Sequence, residues 1–292
     1  MKSLMAISDD VLDNLRTEGY AVVEGFLNPK ELAAAREGLF LEYPTPEAYF
    51  ANPEKYTQLV ETQFSGLKLA PYSSWDLNKI AFHPDLVDFA ERFCGTTNLE
   101  LYKIELWAKY SGAIDYDQAH HRDFGNHNMV VPRRDMLWPQ LTSFILLSDV
   151  TEDDGPTRIV PRAHGEKAPM IPHLLTMGEM QEHEVTITAP AGSLFLYSTD
   201  IFHRGSAMTG KNRSRFILLA DYSARGNPWM GKMSWPRYAN LPAWRKMMER
   251  ASVRERDLFG FPSPGNEYWN EQTLADVQAR YPGMDMTPYA QK

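Results

Sequence analysis

Three side chains in two separate segments of the sequence could bind one metal ion. His121 and Asp123 form a His-x-Asp motif within a histidine-rich segment, and His203 follows a predicted strand much further along the chain. On an extended strand, residues i and i+2 point to the same side, so His121 and Asp123 are predicted to face one ion. Two imidazoles and one carboxylate on a single face are typical of iron(II) oxygenases. The pattern predicts that these three residues bind iron(II) and form the catalytic centre.

Two arginines after His203 could bind the carboxylate of a small ligand. Arg215 begins a predicted strand, and its planar guanidinium offers paired donors to a carboxylate. Arg213 lies two positions earlier and would face the same side of an extended chain, so it stays an alternative. Gln140 and Thr157 are further candidates for this contact.

The elements that must position these residues are predicted to be strands in the middle of the chain. Short apolar runs separated by turn clusters favour an all-β sandwich or barrel rather than alternating βαβ units. The predicted strands are Leu99–Tyr110, Gln140–Leu147, Glu184–Ile187, Ser193–Tyr197 and Phe216–Tyr222. On the first of them Lys103, Glu105 and Trp107 alternate, and the pattern leaves open whether they line a pocket or face solvent.

Helices are predicted on both sides of this β-region. Asn28-Pro29-Lys30-Glu31 combines a capping side chain, a first-turn proline and a glutamate that can reach back, which predicts a helix to about Tyr43. Ser8 is predicted to cap an earlier helix that ends at Gly19. Further helices are predicted over 84–93, 242–249 and 271–280. The simplest interpretation is one domain over residues 1–292, with a β-core at about 99–222 and helical extensions at both ends.

Composition narrows the range of functions. The formal net charge of -8 argues against a general nucleic-acid binder. The single cysteine, Cys94, cannot form an intramolecular disulfide and fits a reducing compartment. The sequence has no apolar run near the roughly 20 residues of a membrane helix, and its first ten residues are not expected to form a signal peptide. A cytoplasmic protein with no membrane partner is therefore expected. Neither a Gly-x-Ser-x-Gly nor a His-Glu-x-x-His motif occurs, which argues against serine hydrolases and zinc proteases.

Six short stretches of the sequence resemble, in the same order along the chain, motifs of the phytanoyl-CoA dioxygenase family of iron(II)/2-oxoglutarate oxygenases. The resemblance covers about Leu15 to Tyr222. Two features depart from the family pattern: Arg162 and Ala163 replace the central residues of a Pro-Gly-Ser-His loop, and Gly205 stands where relatives often have serine. The matching stretches are 18–27 (EGYAVVEGFL), 121–123 (HRD), 146–150 (LLSDV), 154–157 (DGPT), 160–164 (VPRAH) and 191–196 (AGSLFL).

The resemblance implies a fold, a reaction and a set of cofactors. The fold would be mainly β with flanking helices, built on a double-stranded β-helix (a jelly-roll, cupin-like core). His121, Asp123 and His203 would bind Fe(II), and Arg215 would bind the distal carboxylate of 2-oxoglutarate. With dioxygen, the enzyme would hydroxylate or otherwise oxidise a small-molecule substrate and release succinate and CO2. Because Gly205 departs from the pattern, the detailed co-substrate contacts stay open.

Two other functions remain compatible with these residues. One is a cupin-like metal enzyme that does not use 2-oxoglutarate and so has no need of Arg215. The other is a non-catalytic binding protein on the same fold. The primary substrate and the oligomeric state do not follow from the sequence. Asp123 indicates oxygen insertion or desaturation rather than halogenation, since related halogenases replace this carboxylate with a small residue.

Overall fold

Antiparallel strands, mostly from the middle of the chain, form the centre of the fold. The structure is a computed structural model that describes residues 7–62, 64–112, 117–231 and 233–290. The strands within these ranges are β1 (Tyr20–Val23), β2 (Leu67–Leu69), β3 (Leu99–Tyr110), β4 (Gln140–Leu146), β5 (Thr157–Ile159), β6 (Val185–Thr186), β7 (Leu194–Ser198), β8 (His203–Gly205) and β9 (Ser214–Ala224).

The helices lie mainly before β3 and after β9 in the sequence. Five predicted helices occur with ends within one or two residues of those expected. The helices in the described ranges are α1 (Asp9–Glu18), α2 (Pro29–Glu42), α3 (Pro46–Ala51), α4 (Trp75–Asn78), α5 (Pro84–Cys94), α6 (Phe124–His127), α7 (Arg162–Gly165), α8 (Pro242–Arg250), α9 (Val253–Leu258) and α10 (Glu271–Arg280).

Local capping chemistry explains where two of these helices begin and end. The Asn28 side chain accepts hydrogen bonds from Lys30 and Glu31, and the Glu31 carboxylate accepts one from the Asn28 backbone, as predicted. Gly19 ends α1 in the left-handed conformation, with φ of 85°. The prediction for Ser8 was wrong in one respect: within the described residues its side chain makes no capping hydrogen bond.

The strands form two antiparallel sheets. One has six strands in the order β1-β7-β4-β9-β3-β2, and the other has three in the order β6-β5-β8. Together with the flanking helices, they confirm the predicted double-stranded β-helix fold. The predicted limits of the β-core were too narrow, because β1 and β2 come from the N-terminal region and pair with β7 and β3. A short strand gains its hydrogen bonds from its neighbour in space, so its own sequence signal is weak.

One face of the large sheet is covered by helices and the other faces a cavity. Leu101, Ile104 and Leu106 of β3 are fully buried in an apolar core that also includes side chains of α1, α2, α5, α8 and α10. The residues that alternate with part of this row, Lys103 and Glu105, project to the cavity side. The pairing of β3 with β9 places Lys103 opposite Asp221 and Lys109 opposite Arg215. This register decides which charged groups share the cavity.

None of the helices in the described ranges is long and apolar enough to span a membrane. Residues 1–6, which belong to the segment judged not to be a signal peptide, lie outside the described residues.

Candidate active site

The fold brings His121, Asp123 and His203 together at one point of the cavity. One ligand atom from each lies within 4.8 Å of the others. The His121 Nε2 atom is 3.8 Å from Asp123 Oδ1, and the His203 Nε2 atom is 3.5 Å from Asp123 Oδ2. The sequence therefore identified three side chains that do meet in space.

The backbone conformation that brings His121, Asp123 and His203 together differs from the prediction. His121 lies in an isolated antiparallel bridge with His203, in which each backbone N–H donates to the other's carbonyl at 2.9 Å. Asp123 is not extended: its φ of -63° and ψ of -26° are helical, and α6 starts at the next residue. The same-side rule for strands was thus the wrong reason. A turn into α6 aims the carboxylate, and the bridge sets the distance between the two imidazoles.

Both imidazoles are held in the tautomer that a metal requires. His121 Nδ1 lies 3.1 Å from the carbonyl oxygen of Ala119, and His203 Nδ1 lies 3.1 Å from that of Ile201. A carbonyl oxygen only accepts hydrogen bonds, so each Nδ1 carries the proton and each Nε2 presents a lone pair. Burial also lowers the pKa of His203 to about 4, which keeps this ring neutral at physiological pH.

Tyr197 orients the carboxylate of the cluster. Its hydroxyl donates to Asp123 Oδ2 at 2.8 Å, and the ring is buried beside His203. Burial raises the pKa of Asp123, but His203, His127 and Lys103 lower it by more, so this carboxyl is ionised. Tyr197 was not among the predicted site residues. Its place six residues before His203, on the strand that leads to this predicted ligand, was the available signal.

The donor set fits an iron(II) ion. Metal–nitrogen and metal–oxygen bonds of about 2.1 Å put ligands at right angles about 3 Å apart, slightly closer than the separations found here. Two imidazoles with Nε2 directed inward and one ionised carboxylate are the two-histidine, one-carboxylate set of non-haem iron oxygenases. A small contraction would bring all three atoms to one ion.

The cluster opens into a cavity of about 390 Å³ between the two sheets. Arg215 and Thr157, both predicted to contact a co-substrate, line it. Lys109 lies opposite Arg215 in the sheet and adds a second positive charge to that end of the cavity. A dicarboxylate could therefore bind its distal carboxylate here.

Arg213 and Gln140 occupy other places. Arg213 precedes β9, and its guanidinium donates to both carboxylate oxygens of Asp154 at 2.7 Å. Gln140 lines a separate, smaller cavity, where its side-chain oxygen accepts a hydrogen bond from Asn128 at 3.0 Å. The expected co-substrate contacts from these two residues are therefore not supported by their positions.

The departure at Gly205 also has a structural reason. The Gln118 side chain accepts a hydrogen bond from the Gly205 backbone at 2.7 Å. A Cβ atom on residue 205 would lie 2.9 Å from Gln118 Oε1. In this chain the carboxamide of Gln118 thus fills the space that a serine side chain would need.

Side chains of β3 and α6 form a charged cluster at the wall of the same cavity. Lys103, Glu105, Trp107 and His127 all line the cavity, which answers the question that the alternation along β3 left open. Behind them Asp221 is fully buried, 3.2 Å from Lys103. Asp221 was not among the predicted site residues, because its partner is set by the pairing of β3 with β9.

Two imidazoles and a carboxylate in a double-stranded β-helix define the class of non-haem iron, 2-oxoglutarate-dependent oxygenases. The model of the family described as phytanoyl-CoA dioxygenase (PhyH) matches residues 15–216. This is more than half of the 292 residues, so the chain belongs to the phytanoyl-CoA dioxygenase family. It is an enzyme that uses iron and 2-oxoglutarate, and the two alternatives raised by the sequence are set aside.

Solved structures share this fold. The epimerase SnoN, in complex with Fe3+, alpha-ketoglutarate and nogalamycin RO, superposes with a TM-score of 0.53 at 20% identity, covering 74% of this chain and 82% of that one. AviO1 from Streptomyces viridochromogenes Tue57 gives a TM-score of 0.51 at 14% identity, covering 77% and 99%. No curated protein sequence matches the chain. At these identities the likeness establishes the fold alone.

Proposed function

We propose that this enzyme hydroxylates a small molecule, with iron(II) bound by His121, Asp123 and His203. The observation that carries the proposal is the convergence of these three side chains, with both histidines fixed in the metal-binding tautomer. Arg215, together with Thr157, is proposed to bind the distal carboxylate of 2-oxoglutarate, since both line the cavity. When bound, iron with 2-oxoglutarate and dioxygen supplies the oxidation and releases succinate and CO2.

The protein's own residues have three tasks in this reaction. Tyr197 keeps the Asp123 carboxylate pointed at the metal by donating to one of its oxygens. Arg215 and Lys109 provide positive charge for the co-substrate at one end of the cavity. Apolar side chains such as Phe144, Ile217 and Leu219 exclude water next to the ligands.

Asp123 also supports oxygen insertion over halogenation. Its carboxylate takes one metal position, and its negative charge disfavours a halide in the same place. Product mass spectrometry under labelled dioxygen, in chloride-containing buffer, should find the label in the product. A chlorinated product would show that Asp123 does not bind the metal.

Substitution of each ligand tests the proposed metal site. His121→Ala, Asp123→Ala and His203→Ala should each weaken iron binding by more than about 100-fold and abolish succinate formation, because a lost ligand costs more than a lost supporting group. Iron content after anaerobic loading and succinate formed from 2-oxoglutarate are the measurements. His183→Ala, which changes a histidine outside the cavity, is the matched control. Near-normal iron binding in any of the three variants would remove that residue from the ligand set.

A further inference from the structure

Lys103 is surrounded by partners within the protein. Its ammonium nitrogen lies 3.2 Å from Asp221 Oδ2, 3.5 Å from His127 Nε2 and 3.6 Å from Glu105 Oε2. Asp221 and His127 lie within hydrogen-bond distance of the ammonium, and Glu105 is an ion-pair partner slightly further away. One positive charge therefore faces two carboxylates, Asp221 and Glu105, and this wall keeps a surplus of one negative charge.

Tyr102 fixes this arrangement. Its hydroxyl lies 2.8 Å from Asp221 Oδ2 and 2.9 Å from His127 Nδ1. Burial and the Asp221 charge raise the pKa of Tyr102, so its single proton stays on and is donated to the carboxylate. His127 Nδ1 must then donate to the tyrosine oxygen, which leaves a lone pair on Nε2 for Lys103. Hydrogen bonds among Tyr102, Asp221, His127 and Lys103 therefore hold this wall in place without a ligand.

Glu105 is the carboxylate of this pair that lines the cavity; Asp221 Oδ1 also lacks a hydrogen bond among the described residues, but it is fully buried. Its contacts with Trp107 Nε1, at 3.1 Å, and with Lys103 both use Oε2, and among the described residues Oε1 has no partner. The side chain is 12% exposed, and burial raises the pKa of Glu105 despite the neighbouring Lys103. A second cation would therefore be favourable at Oε1.

Two aromatic rings line the same cavity as this carboxylate. Trp107 lines the cavity beside Glu105, and the Phe64 ring lies 5.8 Å from the Trp107 ring, centroid to centroid. Aromatic faces attract organic ammonium groups, and a carboxylate adds a charge-assisted hydrogen bond. Neither feature attracts a carboxylate or a phosphate.

We propose that Glu105, with Trp107 and Phe64, binds a protonated amine of the substrate. The substrate class is then a small organic amine with an apolar portion. This inference rests on the proposed function, because the metal bound by Asp123 would act on the carbons near that amine. Glu105 and Asp123 line one cavity, and the negative charge of Asp123 contributes to raising the pKa of Glu105.

Calorimetric titration with three probes of similar size tests the inference. Phenethylamine, phenethyl alcohol and 3-phenylpropionate are positive, neutral and negative, and each is titrated into protein loaded anaerobically with iron(II) and 2-oxoglutarate. The amine should bind at least about tenfold more tightly than the alcohol, and the acid should bind more weakly than both. Glu105→Gln keeps the size of the side chain and should remove the preference for the amine. Glu182→Gln, a change at a side chain that is 82% exposed, should retain it.

The outcomes separate this inference from the proposed function. If the protein takes up iron and 2-oxoglutarate but the amine does not bind, or binds equally to the Glu105→Gln variant, the substrate class is wrong and the metal site stands. If iron and 2-oxoglutarate are not taken up, the proposed function fails. In that case the same titrations on metal-free protein test Glu105 separately, because none of its contacts involves a metal. A preference for the amine that Glu105→Gln removes would support the amine site, and no preference would contradict it.

Discussion

At the scale of single residues, each proposed iron ligand is oriented by a second group. Ala119 and Ile201 carbonyls fix the two imidazoles, and Tyr197 holds the Asp123 carboxylate. Such supporting contacts set the direction of a ligand's lone pair and so tune metal affinity. They are therefore the places where a small chemical change should have a measurable effect on the metal site.

Tyr197→Phe removes one hydroxyl from this site and nothing else. Because that hydroxyl donates to Asp123 Oδ2, its loss should weaken iron binding by about 10- to 100-fold. Anaerobic iron titration followed by optical spectroscopy measures the change. Tyr20→Phe, at a half-buried tyrosine of β1, is the control. Unchanged iron affinity in Tyr197→Phe would mean that Asp123 is held by its backbone alone.

Arg215 and Arg213 give a matched pair for the co-substrate. Arg215→Ala should raise the 2-oxoglutarate concentration needed for half-maximal turnover at least about tenfold, because a charged paired contact is worth about 1.5–3 kcal/mol. Arg213→Ala should leave that concentration nearly unchanged, since its guanidinium is bonded to Asp154. Succinate formation as a function of 2-oxoglutarate measures both. If Arg213→Ala raised this concentration and Arg215→Ala did not, Arg213 would be the residue that binds 2-oxoglutarate.

At the scale of elements, the segment before α6 is anchored by the residue between the two ligands. Arg122 is almost fully buried, donates to the carbonyls of Pro169 and Gly165, and lies 3.7 Å over the Phe202 ring. It therefore ties the His-x-Asp motif to α7 and to the segment before β8. In this way the middle residue of the motif is the anchor of both its neighbours.

Arg122→Met keeps much of the side-chain volume but removes both hydrogen bonds. The buried carbonyl of Gly165 and the more exposed carbonyl of Pro169 both lose a charged donor, so the free energy of unfolding should fall by about 2–4 kcal/mol. Iron affinity should fall as well, because His121 and Asp123 lose their common anchor. Urea denaturation and iron titration are the measurements. Arg134→Met, at an exposed neighbour, should change neither, and equal effects of the two variants would contradict this role.

At the scale of the whole molecule, several histidines are buried in the neutral form. Burial lowers the pKa of His120 and His127, and that of His203 to about 4, from an ordinary value of 6.5. The unfolded chain therefore binds more protons than the folded chain as the pH falls below 6.5. Folding stability must then decrease with falling pH, and the loss from His203 continues until the pH has fallen below about 4.

Urea denaturation of metal-free protein should show this dependence. The urea midpoint should be lower at pH 5 than at pH 7.5, and His127→Gln should reduce the difference because it removes one titrating group. His183→Gln changes a more exposed histidine and should leave the difference unchanged. Equal midpoints at the two pH values in the unsubstituted protein would show that these histidines are not buried as described.

Much of this molecule follows from local sequence. The capping box of α2 and the glycine that ends α1 depend on residues within a few positions of each other, so the helix limits could be predicted from the sequence alone. The ordered motifs around His121, Asp123 and His203 were also sufficient to predict the family and the type of chemistry. The extent of a single domain over 1–292 stays a prediction.

Tertiary structure decided the rest, because it depends on strand register and on contacts between distant segments. The pairing of β3 with β9 placed Asp221 behind Lys103, and it placed Arg215 in the cavity. Arg213 instead binds Asp154. A one-residue shift in register would turn every one of these β-strand side chains to the opposite face. Local sequence contains no measure of that register, so it could name the charged residues of β3 without saying which carboxylate each would meet.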